Sequence, residues 1–226
     1  MTMRLVVVRP QPGLAETLAS AEAMDLACLG EPLFEVVPHD WNCPEIADLD
    51  GLLIGSANAI RHGGAGLEKL KDLPVYAVGE RTAECASDAG FFVAQTGTGD
   101  LQNLIDTYLD RPIHLLRLAG KERVDLVAPA QLRMTEREVY QLRALPMPDA
   151  MHSALGKESL ILVHSAAAAR HFTDECERCS IDRSEITLAV LGPRIAAAAG
   201  EGWASIYVAK APNDAALLAL AAELCE

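Results

Sequence analysis

Six short segments of this chain place glycine, serine, threonine and other small residues where an apolar run gives way to a helical pattern: RPQPG (9–13), GSANA (55–59), GERTA (79–83), AGKER (119–123), HSAAA (164–168) and GPRIA (192–196). A helix N-terminus carries unpaired N–H groups and partial positive charge, and small side chains let an anion reach that backbone. The chemistry on offer is capture of carboxylates or other anions through Ser56, Ala57, Asn58, Thr82, Gly120, Ser165 and Gly192. Arg9, Arg117, Lys121 and Arg194 stand in or beside these corners as cationic partners. Any one corner reads equally well as an ordinary capped helix, since Ser and Thr are favoured N-caps without any ligand. Only a set of corners facing one cleft reads as a binding surface.

Other site patterns are absent. The chain has no G-x-x-x-x-G-K-[ST], no H-E-x-x-H and no G-x-S-x-G, and the glycines of QTGTGD (95–100) lack dinucleotide spacing. Cys176 and Cys179 form an isolated C-x-x-C without a second ligand pair. His62 and His171 read as partly buried or solvated helical residues.

The corners require strands before them and helices after them. Strands are expected at 4–9, 33–37, 51–55, 75–78, 91–94, 113–118, 138–142, 160–164, 187–191 and 205–209, with helices in most of the gaps. The motif S-A-x-A-x-R-H occurs at 56–62 and again at 165–171, and the order of strands, glycines and helices after each copy repeats, which marks an internal duplication. Residues 1–37 and 111–145 both read as strand, helix, strand. Giving each copy one such partner yields two lobes: 1–37 with 149–226, and an inserted lobe at 38–146. The segments PLFEVVP (32–38) and EVYQLRALP (138–146) then form a two-stranded connector, each ending in proline. The expected fold class is α/β, with two similar flavodoxin-like parallel-sheet lobes, one of them discontinuous.

Composition bounds the function. A net charge of −13 over 226 residues gives no basic face for nucleic acid. The apolar runs fall short of the roughly 20 residues needed to span a bilayer. The six cysteines are scattered through a chain large enough to bury a core without staples, so they read as free thiols. A cytoplasmic, monomeric protein acting on a small molecule is expected, with neither nucleic-acid nor membrane partners.

VRPQPG, PLFEVVP, SANAIRHG, VYAVGERTAECASDAGF, TGTGDLQNL, LRLAGKER, EVYQLRALP, HSAAAAR and VLGPRIAAAA, in this order and across nearly the whole chain, resemble the uroporphyrinogen-III synthase family. The resemblance implies a lyase that cyclises hydroxymethylbilane, a linear tetrapyrrole, with loss of water and inversion of its last ring, and that needs no cofactor and no metal. It implies that Tyr140, in EVYQ, is the acid that assists the departing hydroxyl, a phenol being protonated at neutral pH. It also implies that Ser56, Thr82 and Ser165 line the cleft. The chain departs from the family where Val8 and Arg194-Ile195 replace hydroxyl residues. A non-catalytic two-lobed protein that binds tetrapyrroles or polycarboxylates is the alternative, and a flavodoxin-like nucleotide or signalling module is a third reading.

Overall fold

The computed structural model describes residues 3–108, 111–156 and 158–225. In chain order these form β1 (Arg4–Val7), α1 (Gly13–Glu22), β2 (Cys28–Gly30), β3 (Phe34–Pro38), β4 (Gly51–Ile54), α2 (Ala57–His62), β5 (Val75–Val78), α3 (Glu80–Asp88), β6 (Val93–Gly97), α4 (Leu101–Tyr108), β7 (Ile113–Gly120) and β8 (Leu132–Ala144). There follow α5 (Asp149–Ala154), β9 (Ser159–Val163), α6 (Ala166–Arg178), β10 (Ile186–Val190), α7 (Pro193–Ala199), β11 (Ser205–Val208) and α8 (Asp214–Cys225). Two compact units result, Met1–Glu35 with Arg143–Glu226, and Val36–Leu142.

The discontinuous unit holds a five-stranded sheet in the order β11-β10-β9-β1-β2, parallel throughout. Its three central strands, β10, β9 and β1, are buried on both faces along most of their length, as a sheet covered by helices on both sides requires, while the edge strands β2 and β11 are half-buried or exposed. Val6, Val8, Ile161, Val163 and Leu188 point to one layer, where Phe172 stacks on Trp203. Leu5, Val7, Leu160, Leu162 and Ala189 point to the other, against Leu14 and Ala21 of α1 and Leu217 and Leu218 of α8. The chain winds one way from β1 to β2 and the other way from β9 to β11. Its topological switch point therefore lies between β1 and β9, at whose carboxyl ends such sheets bind ligands.

The inserted unit repeats this plan in the order β3-β8-β7-β4-β5-β6. The pairings from β8 to β6 are parallel, and the switch point lies between β7 and β4. On the outer edge β3 runs antiparallel to β8: His39 donates to the Val139 carbonyl at 3.0 Å and Leu145 to that of Leu33 at 2.9 Å. The same two strands, β3 and β8, carry the chain across the boundary between units and form the two-stranded connector.

Three local expectations are corrected. Cys28–Gly30, at the end of the short apolar run 26–29, is a strand absent from the expected set, ordered by pairing with β1. The sixth strand begins at Val93, not at residue 91, because Gly90 at φ +86 turns the chain so that Phe91 enters the core. Residues 111–145 are not strand, helix, strand: no helix forms between β7 and β8, and β8 starts at Leu132 rather than near 138. The segment 121–131 contains Pro129 and exposes Val124 and Val127, so it has no apolar stripe to dock a helix. Side chains pin its backbone instead. Arg117 donates to the Val124 carbonyl at 2.7 Å, while Gln102 accepts from Val127 N–H at 2.9 Å and donates to the Val127 carbonyl at 3.0 Å.

Candidate active site

At the switch point of the inserted unit the carboxyl ends of β4 and β7, the start of α4, the 122–126 loop and β8 enclose a cavity of about 440 Å³. Gly55 and Ser56 come from the corner after β4, Gly120 from the end of β7, and Tyr140 from β8.

Tyr140 lies half-buried with its ring over Gly120. A Cβ at Gly120 would stand 2.7 Å from Cε2, 2.8 Å from Cζ and 3.1 Å from the hydroxyl, so glycine is what allows the ring to lie there. The Tyr140 hydroxyl makes no hydrogen bond among the described residues, which leaves it as a donor facing the cavity. The His62 ring sits 6.5 Å from the Tyr140 ring. Burial and then the neighbouring Arg61 hold that imidazole below its ordinary range, toward the neutral form.

Arg117 is on the cavity wall but is already engaged. It is 3% exposed, lies in register opposite Glu136 across β7 and β8, and donates Nη1 to Glu136 Oε1 at 2.7 Å and Nη2 to the Val124 carbonyl. Its Nε is buried without a partner. Partial burial works against ionisation of Glu136, but the bonds and charge of Arg117 and Arg123 outweigh it and hold this carboxyl below the usual range. Arg123 is tied to Glu136 at 3.1 Å and to Glu138 at 2.7 Å. Asp100, Glu122 and Asp125 also line the cavity, so its walls carry no surplus of positive charge. The cavity suits an uncharged portion of a ligand, with Tyr140 as donor.

Ser56 and Ser165 both cap helices. The Ser56 hydroxyl accepts from Asn58 N–H at 3.3 Å and that of Ser165 from Ala168 N–H at 3.1 Å, leaving each O–H proton to donate elsewhere. Asn58 is half-buried beside Ser56, and Ala57 is buried. Thr82 is buried in the first turn of α3 and Lys121 is exposed, and neither lines the cavity.

In the discontinuous unit Arg9, Ser165, Gly192 and Arg194 follow β1, β9 and β10 and so share the carboxyl edge of one parallel sheet. Arg194 is exposed with no ion pair among the described residues. Arg9 meets Thr17 and Asp214. Val8, where a hydroxyl residue is expected from the resemblance, is fully buried in the core beside Ile161 and Val163, so a hydroxyl there would face apolar packing. Ile195 packs against the same core.

Sequence reasoning missed Asp214, Thr17 and Glu136, which hold arginines, and His164, which holds Asp214, because no local pattern joins these residues to their partners. Among the described residues no group of His, Cys, Asp and Glu gathers at metal-binding distance, and no helix is long and apolar enough to cross a membrane. All six cysteines are free, and burial pushes the Cys176 thiol up to about 12, which removes it from thiolate chemistry near neutral pH.

The molecule is thus a two-lobed α/β protein whose parallel sheets present their switch points as ligand edges. A family model described as uroporphyrinogen-III synthase HemD matches residues 15–219. The chain belongs to the uroporphyrinogen-III synthase family. A solved structure of uroporphyrinogen-III synthetase from Helicobacter pylori 26695 shares its fold, with a TM-score of 0.68 at 20% identity over 98% of this chain and 99% of that one. A mutant uroporphyrinogen III synthase from the extremely thermophilic bacterium Thermus thermophilus aligns at 14% identity over 98% of both chains with a TM-score of 0.49. No curated protein matches the chain.

Proposed function

We propose that this chain is a cytoplasmic, monomeric lyase that converts hydroxymethylbilane into uroporphyrinogen III with inversion of ring D. Membership of the family places it in tetrapyrrole biosynthesis and makes it an enzyme with a small-molecule substrate. The observation that carries the finer reading is the Tyr140 hydroxyl, unbonded within the chain and set over Gly120 in a cavity at a switch point.

In this mechanism the terminal hydroxymethyl group of the substrate enters the cavity of the inserted unit. Tyr140 gives its proton to the leaving hydroxyl as the C–O bond breaks, so water departs and an azafulvene cation remains. The substituted carbon of ring D attacks that cation to form a spiro intermediate. The original bond from that carbon to its bridging methylene then breaks, the free α-carbon of ring D bonds to the same methylene so that the ring is inverted, and the hydrogen on that α-carbon leaves as a proton to the phenolate. Atoms balance as one substrate giving one macrocycle and one water. Neither a redox step nor a cofactor is needed, and holding a flexible chain in a reactive shape supplies the rest.

Ser56, Asn58 and the corner backbone of Ala57 and Gly120 contact the substrate in the inserted unit. Arg9, Ser165, Gly192 and Arg194 offer donors to its carboxylates on the discontinuous unit, and Thr82 and Lys121 act at greater distance. Arg117 holds the 121–131 loop and so shapes the cavity. The test is a coupled assay that generates hydroxymethylbilane in place and separates uroporphyrin isomers after oxidation. Isomer III above the spontaneous background supports the reading. Isomer I alone from folded protein favours the alternative, a non-catalytic tetrapyrrole or polycarboxylate binder.

A further inference from the structure

The switch point of the discontinuous unit is built differently from that of the inserted unit. Arg9 follows β1 and His164 follows β9, so adjacent strands deliver them to one place. On the sheet face above, α1 and α8 pack through Leu14, Leu217 and Leu218, which brings Thr17 and Asp214 to the same edge. Asp214 is the meeting point. It accepts from Arg9 Nη1 at 3.4 Å, from His164 Nε2 at 2.7 Å and from the Thr17 hydroxyl at 2.8 Å, and Arg9 Nη1 also donates to Thr17 Oγ1 at 3.0 Å.

Each member has a fixed part. Thr17 is fully buried and so anchored. The His164 side chain is 7% exposed. Burial favours its neutral form against the pull of Asp214, so the ring donates Nε2–H and leaves the carboxylate its charge. Its Nδ1 is buried without a hydrogen-bond partner among the described residues. Arg9 retains a side-chain exposure of 25%, and its Nε and Nη2 make no hydrogen bond among the described residues. Arg117, by contrast, is 4% exposed and committed on two sides.

Gly13 explains how Arg9 reaches this position. Gly13 and Thr17 are four residues apart on one face of α1, and the Arg9 guanidinium lies along that face. A Cβ at Gly13 would fall 2.5 Å from Arg9 Nε and Nη2 and 2.6 Å from Cζ. Those atoms are the far end of a flexible side chain, so a methyl group there would displace the guanidinium and leave the helix intact.

We infer that Asp214, Thr17 and His164 are positioning residues that aim Arg9 at a carboxylate of the ligand, and that Gly13 is the residue whose missing side chain makes the room. This rests on the proposed function for the identity of the carboxylate, but the subsite is tested separately. The probe is benzene-1,2,4,5-tetracarboxylate, titrated calorimetrically into the wild type, Arg9→Gln, Gly13→Ala, the double variant and Thr17→Val. The expected result is measurable binding by the wild type and a loss of five-fold or more in Arg9→Gln and Gly13→Ala. Gly13→Ala should keep its melting temperature or raise it, since alanine favours a helix. The double variant should be no weaker than Arg9→Gln alone, because Gly13 acts through Arg9. Thr17→Val should lie between wild type and Arg9→Gln.

Failure of the wild type to bind, wild-type affinity in Gly13→Ala, or effects that add in the double variant would each overturn the inference. Isomer-resolved turnover of the same proteins separates the two claims. Probe binding with this pattern but no isomer III leaves the subsite standing and removes the proposed reaction. Isomer III with an unchanged probe affinity across the series does the reverse.

Discussion

Glu136→Gln should destabilise the inserted unit more than Arg117→Met, although Arg117 is the more deeply buried partner. The bond between them is charge-assisted, 2.7 Å long, and ends on a cation whose side chain is 4% exposed. Hydrogen bonds to charged groups contribute roughly 1.5–3 kcal/mol, and stranding one member of a buried pair costs about 3–5 kcal/mol. Glu136 is itself 29% exposed, and glutamine keeps a neutral acceptor, so the lower part of that range applies, about 2–3 kcal/mol. Arg117→Met removes the buried cation together with its desolvation cost. Glu136 keeps Arg123, and the Val124 carbonyl lies on a loop that water reaches, so the expected cost is about 1 kcal/mol. The assay is urea unfolding followed by far-ultraviolet circular dichroism. With a slope of about 2 kcal/mol per molar urea, Glu136→Gln moves the midpoint of the inserted unit down by about 1 M and Arg117→Met by about half that. A Glu136→Gln variant of unchanged stability would refute the reasoning, since the buried Arg117 cation would then not depend on that bond.

Gly120→Ala should act as a displaced-tyrosine variant: restoring ordinary contact moves the Tyr140 ring by about 1 Å, enough to cost roughly a hundred-fold in kcat with little change in KM. Wild-type kcat in that variant would remove the ring's placement from the mechanism. Ser165→Ala should lose about 1 kcal/mol of stability through the lost cap, read as a melting temperature roughly 2–4 °C lower. Arg178 and the Met147 N–H hold the buried Glu175 carboxyl down to about 2, from an ordinary 4.5. A depressed folded pKa contributes stability that is complete above the unfolded value and lost as pH falls through the folded one. Glu175 therefore supplies up to about 3 kcal/mol at pH 7 that fades between pH 4.5 and 2. Glu175→Gln should accordingly flatten the acid limb of stability against pH, and an unchanged acid limb would contradict the assignment.

What the sequence makes legible is what local pattern controls. The corners at Ser56 and Ser165 are readable because both hydroxyls do a local job, capping the helix that starts next to them. Strands such as Ser159–Val163 are readable because all five residues are buried and apolar runs report burial on both faces. Cys28–Gly30 is only three residues long and half-buried, so the short apolar run 26–29 is a weak signal, and pairing with the neighbouring strand orders it. The segment 121–131 is held by Arg117 and Gln102 rather than by its own periodicity, so the pattern suggests a helix where a pinned loop forms. Arg9 and Arg117 look alike in the sequence, each near the end of a strand. Their difference is set by partners far along the chain, an aspartate 205 residues away in one case and the residue in register on the next strand in the other.

The central claim is that this chain closes hydroxymethylbilane through Tyr140. Its most direct test is a single-turnover reaction of hydroxymethylbilane with the wild type and with Tyr140→Phe, following substrate loss and the isomer formed. The account predicts isomer III from the wild type, and from the variant the same isomer about a hundred-fold more slowly with binding intact. Isomer III at the wild-type rate from Tyr140→Phe, or isomer I alone from the wild type, would contradict it.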